Sequence, residues 1–111
     1  MKKIKFLEVR NEVLDSAPPD GTYGVVSYDG KPVQTRYGFN VDNVFPWRIT
    51  IYKFEGGLCD MISSSSSPGH LLTRISVDSL YIVDVPQHKR AELDKNLAGH
   101  NFVLEEQTFA T

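Results

Sequence analysis

The chain holds a single cysteine, Cys59, so no disulfide can close within it. A reducing compartment is the expectation. An excess of charge is missing too: 12 basic residues face 14 acidic ones in 111, a net charge of −2. Nucleic-acid binding driven by phosphate contacts needs a basic face that this balance does not supply. No apolar run approaches membrane-spanning length. Lys2 and Lys3 are followed by Ile4-Lys5-Phe6-Leu7-Glu8-Val9-Arg10, whose spaced charges leave no apolar core for a signal peptide. A cytoplasmic protein that avoids membranes and nucleic acid is expected.

Chemical motifs are equally scarce. His70, His88 and His100 never share the i, i+4 spacing of a helical metal pair, and no Cys-x-x-Cys exists. There is no Gly-x-Ser-x-Gly elbow and no Gly-x-x-x-x-Gly-Lys-Ser/Thr loop. The sequence therefore implies no metal and no cofactor.

What is present is a strong β pattern. Trp47-Arg48-Ile49-Thr50-Ile51-Tyr52-Lys53-Phe54 is rich in β-branched and aromatic residues, as a pleated surface prefers. Gly56-Gly57 suits a two-residue hairpin turn, which needs positive φ. That turn pairs Glu55 with Leu58, Phe54 with Cys59, Lys53 with Asp60, Tyr52 with Met61 and Ile51 with Ile62. Both faces of the hairpin carry apolar side chains, which places it at the centre of the sheet. A second hairpin is expected from Thr22–Tyr28 and Lys31–Tyr37 around Asp29-Gly30. Residues 3–10 suit a first strand, with a helix as the alternative. Leu71–Val77 and Leu80–Val85 read as strands around Asp78-Ser79, or as one bent strand. Pro86 to Ala98 is the best helix, with proline at its start and Gly99 just past its end. A last strand runs from His100 to Glu105.

Apolar residues make up 41% of the chain, which excludes disorder throughout, and the length fits one domain. The fold class is α+β, mainly β. It is a bent antiparallel sheet or partly open barrel of about six or seven strands, with one C-terminal helix over about 86–98.

The functional reading rests on residue types that dominate binding interfaces. Six of the twelve aromatics lie between Tyr37 and Phe54, with Arg36 and Arg48 among them. Their plain role is core burial. Their functional role is a docking face, for which Arg36, Tyr37 and Arg48 are the outward candidates. The serine run from Ser63 to Ser67, followed by Pro68-Gly69-His70, reads as a polar loop. Ser65, Ser66, Ser67 and His70 within it join the binding candidates. The resulting expectation is a small, non-catalytic module that docks a protein partner, of accessory or inhibitor type and of bacterial or phage origin. Two alternatives stand beside it. One is a small-molecule binder with a pocket at the open end of the sheet. The other is a small hydrolase using Cys59 and His70, against which Asp60 weighs by opposing a low thiol pKa.

Overall fold

The computed structural model describes residues 4–9, 19–28, 33–34, 37–38, 40–41, 47–83, 85–100 and 102–106. The strands are β1 (Ile4–Val9), β2 (Gly21–Tyr28), β3 (Val33–Gln34), β4 (Asn40–Val41), β5 (Trp47–Glu55), β6 (Leu58–Ser65), β7 (Ser79–Val83) and β8 (Phe102–Glu106). Helix α1 spans Pro68–Arg74 and α2 spans Arg90–Asn96, the latter entered through a 3-10 turn at Gln87–Lys89. No helix among the described residues is long and apolar enough to cross a membrane.

The structure is mainly β, with a mixed sheet and short helices, and an α+β description fits it. In the sheet, β6, β5 and β2 are antiparallel neighbours, and β7 lies parallel beside β2. Backbone pairing continues the sheet through β1 to β8, both parallel, in the order β6-β5-β2-β7-β1-β8. A separate two-stranded ladder joins β3 to β4. The connection from β7 through α2 to β8 thus steps over β1, as a parallel crossover requires a helix between its strands.

Alternation along the strands divides the core into two layers. Val26, Ile49, Ile51, Leu80 and Ile82 face the helices, where they pack with Leu71, Leu72, Val77, Leu93 and Leu97. Tyr23, Val25, Tyr52, Phe54, Tyr81 and Val83 form the opposite layer, with Tyr37 and Cys59 packed against it. Burial pushes the Tyr81 hydroxyl up to about 12, and the neighbouring Tyr23 adds to this. Asp78 closes the start of β7 onto β2. Its backbone N–H donates to the Thr22 carbonyl at 2.8 Å, and its Oδ2 accepts from the Thr22 N–H at 2.9 Å.

Several expectations need correction. The sheet is mixed rather than the bent antiparallel sheet or partly open barrel expected, because β2, β7, β1 and β8 run parallel. Among the described residues there are two α-helices where a single C-terminal one was expected. The second is α1, which takes residues expected to form a loop and a strand. Pro68 opens it, and the adjacent Leu71 and Leu72 are both buried, as a helix permits and a strand on one face does not.

The expected pairing across Asp29-Gly30 fails as well. β2 pairs with β5 instead, Tyr23 facing Tyr52, and β3 pairs with β4. The Gly56-Gly57 hairpin keeps its register from Glu55–Leu58 to Tyr52–Met61, with φ of 60° and 82° at the glycines. Beyond that a bulge leaves Ile62 out, and Ile51 pairs with Ser63. Among the described strands the hairpin lies at the end of the sheet order rather than at its centre, since β6 pairs there with β5 alone.

Candidate functional site

The end of β5 nearest its first residue brings aromatic, basic and hydroxyl side chains together. Tyr28 and Trp47 are cross-strand partners on β2 and β5, with ring centroids 4.9 Å apart in an edge-to-face arrangement. Trp47 Nε1 donates to Glu92 Oε1 at 2.8 Å, which ties α2 to the sheet. Lys89 Nζ donates to Glu92 Oε2 at 3.2 Å and stands 5.0 Å from the centre of the Tyr28 ring. The hydrogen bond from Trp47, then that from Lys89, holds the Glu92 carboxyl below its ordinary range. The bond to Glu92 raises Lys89 in return. Glu92 and Lys89 thus favour each other's charged form, and the hydrogen bond from Trp47 ties the sheet to them.

Arg48 follows Trp47 and pairs with Ser27 across β2. On its other side the β5–β6 ladder ends at Ile49–Ser65, so Arg48 is the first β5 residue beyond that ladder. The serine run is consequently not one loop. Ser63, Ser64 and Ser65 belong to β6, and Ser64 Oγ donates to the Ile49 carbonyl at 3.3 Å. Ser66 and Ser67 form the bend into α1, where the Ser67 N–H donates to Ser65 Oγ at 3.0 Å. Both are exposed, as is His70 in the first turn of α1. Ser65, Ser66, Ser67 and His70 thus follow one another at the end of β6 and the start of α1, while Arg48 alternates with Trp47 and Ile49 and so faces the other side of the sheet from them.

The remaining candidates separate from them. Arg36 lies outside the described residues. Tyr37 is half-buried and packs against the aromatic layer. Its neighbour Gly38, at φ 95°, rests on Cys59 so closely that an added Cβ would stand 3.1 Å from the Cys59 Cβ. That is the far end of the hairpin. From Phe54, the partner of Cys59, to Arg48 is on the order of 20 Å of strand.

The same separation bears on the hydrolase alternative. Cys59 and His70 stand at opposite ends of β6, with the strand between them. Burial raises the Cys59 thiol above its ordinary pKa, and Asp60 raises it further. The expected consequence is a slow reaction with a thiol reagent in the folded protein at neutral pH. Because the pKa is raised, labelling should accelerate only at a higher pH than for a free thiol, and denaturation should abolish the difference. Fast labelling of folded protein at neutral pH would contradict this environment. No group of three or more His, Cys, Asp or Glu side chains among the described residues is placed to hold a metal ion.

Sequence reasoning missed two features. Glu92 and Lys89 carry no signal beyond helix position, because their partner Trp47 is distant in sequence. The exposure of Leu58 (70%), Met61 (65%) and Ile62 (47%) was also hidden, since apolar alternation does not say which strand lies at an edge. No family model matches the sequence, no similar curated protein is found, and no solved structure matches the chain.

Proposed function

We propose that this chain is a small protein-binding module of accessory or inhibitor type, working in the cytoplasm, and that its docking site is the corner around Trp47 and Arg48. The observation that supports it is the half-buried Tyr28–Trp47 pair, held by Glu92 and Lys89, with half-buried Arg48 next to Trp47 at the end of β5. Trp, Tyr and Arg supply most of the energy of protein interfaces, and they do so where packing has already fixed their rotamers. The Glu92–Lys89 pair fixes Trp47 in this way, so little ordering entropy remains to be lost on binding. With a net charge of only −2, affinity has to come from such a desolvated cluster rather than from long-range attraction.

The test is affinity capture quantified against variants, followed by titration of the protein recovered. Arg48→Ala should leave the melting temperature unchanged and weaken that partner by at least about 1 kcal/mol. Met61→Lys, on the edge strand, should leave the affinity as it was. Equal affinities for wild type, Arg48→Ala and a Ser66→Ala/Ser67→Ala double variant would sink the assignment of this corner.

A further inference from the structure

Four side chains around Trp47 close into a ring. Trp47 and Tyr28 meet edge to face across β5 and β2. Trp47 Nε1 donates to Glu92 Oε1 at 2.8 Å, and Lys89 Nζ donates to Glu92 Oε2 at 3.2 Å. Lys89 Nζ stands 5.0 Å from the centre of the Tyr28 ring, which completes the circuit. Each contact joins two different elements: β2 to β5, β5 to α2, α2 to the 3-10 turn before it, and that turn to β2. Glu92 sits where two of these joints meet, with one donor on each carboxylate oxygen. Beneath the ring, Leu93 and Leu97 are buried in the layer against which Trp47 packs. Asn96 Nδ2 donates to the Glu92 carbonyl at 2.9 Å, beside the carboxylate on the same helix. Apolar burial therefore holds α2 on the sheet, and the carboxylate fastens its exposed edge to the indole.

A carboxylate serves both donors only while it is charged. Once protonated, one of its oxygens becomes an O–H donor. An ammonium has three donors and no acceptor, so that oxygen cannot partner Lys89. The bond from the indole loses its charge assistance in the same step. One proton thus loosens contacts to two elements.

We propose that Glu92 is an acid-sensitive latch of α2 on the sheet, whose protonation frees the Lys89 ammonium and weakens the hold on the Trp47 indole. The latch rests on the docking reading only for its use, which is to set how firmly that corner is ordered for a partner. Its sign follows from the bonds from Trp47 and Lys89, which hold the Glu92 carboxyl below its ordinary range. The latch is fastened above that ordinary range and is released as pH falls through the lowered value. The other charged or titratable groups on the elements packed around Glu92 are Arg48 on β5, His70 and Arg74 on α1, His88 in the turn, Arg90, Asp94 and Lys95 on α2, and His100 beyond it. Arg90 Nε lies 3.8 Å from Asp94 Oδ1. Asp84 lies outside the described residues.

The chain has one tryptophan, so its indole N–H gives a single resonance in a nitrogen–proton correlation spectrum. On acidification that resonance should move upfield, with a midpoint below the ordinary glutamate range. Glu92→Gln should move it upfield already at neutral pH and remove the titration, which separates Glu92 from every other group named. Lys89→Met, which keeps the stem without the charge, should raise the midpoint. The amide resonances of Ile49 and Ile51 report that the sheet is intact throughout. An indole resonance that stays fixed in Glu92→Gln at neutral pH, or that titrates alike in that variant and wild type, overturns the proposal. A midpoint unmoved by Lys89→Met does so as well. No partner enters these measurements. A latch that titrates while Arg48→Ala leaves partner affinity intact removes the docking site alone, and the converse result removes the latch alone.

Discussion

Gly69→Ala should destabilise the fold by about 3 kcal/mol, although the same change in an open helix gains about 1 kcal/mol. The sign reverses because of what stands over the glycine. A Cβ added at Gly69 would run into the Asn96 carbonyl oxygen at the end of α2, and the atom it meets is backbone. No side chain can swing aside to relieve the clash, so α1 and α2 must move apart. That movement strains the layer between them and the sheet, where Leu71, Leu72, Leu93 and Leu97 are buried together. It also pulls on the Trp47–Glu92 bond, so the intrinsic tryptophan emission should shift along with stability. Urea denaturation of Gly69→Ala beside Thr73→Ala, an exposed position on the same helix, supplies the comparison. The second variant should stay within about 0.5 kcal/mol of wild type. A stabilised Gly69→Ala would show that the helices do not approach in this way.

Ile51→Ala should cost about 2–5 kcal/mol, as deletion of a fully buried aliphatic side chain does. Ile51 is completely inaccessible and sits in the helix-facing layer, with Gly24 as its partner on one side and Ser63 on the other. Neither partner has the bulk to fill the cavity left behind, which argues for the upper half of the range. The equivalent change at Ile62 is the informative contrast. Ile62 lies outside the ladder at the bulge and is 47% exposed, so Ile62→Ala should cost under about 1 kcal/mol. The antiparallel register written in the sequence treated these two isoleucines as one cross-strand pair. Equal losses for the two variants would restore that pairing and contradict the bulge.

The contrast shows what local sequence can carry. Gly56-Gly57 fixed a turn, and the turn fixed the pairs nearest to it, because both are decided within a few residues. Pro86 and Gly99 bracketed the second helix for the same reason. The bulge at Ile62 escaped because five consecutive serines give no alternation from which a slipped register is visible. Asp29-Gly30 misled because a turn signal specifies a reversal of the chain, not which strand β2 finally adopts as neighbour. Its partners, β5 and β7, come from distant parts of the chain that no turn signal names. The candidate site divided along the same line. Arg48 was recognisable by its alternation with Trp47 and Ile49. Tyr37 instead packs against an aromatic layer assembled from four separate segments, which no local pattern could announce.

The insertion of β1 between β7 and β8 has a consequence in time. Lys5 pairs with Ser79, and Ile4 pairs with Phe102, so no contact that holds β1 in the sheet is local. During synthesis the β5–β6 hairpin and its packing against β2 can form early, while β1 must wait unpaired until β7 has emerged. It can gain its second neighbour only when β8 follows. The entropy of closing those long loops precedes the stabilisation they bring, which places folding in about the millisecond-to-second range of non-local topologies. Through that interval β7 offers a vacant edge, and the nascent chain is most exposed to mispairing there, rather than at the hairpin that remains on the rim of the finished sheet.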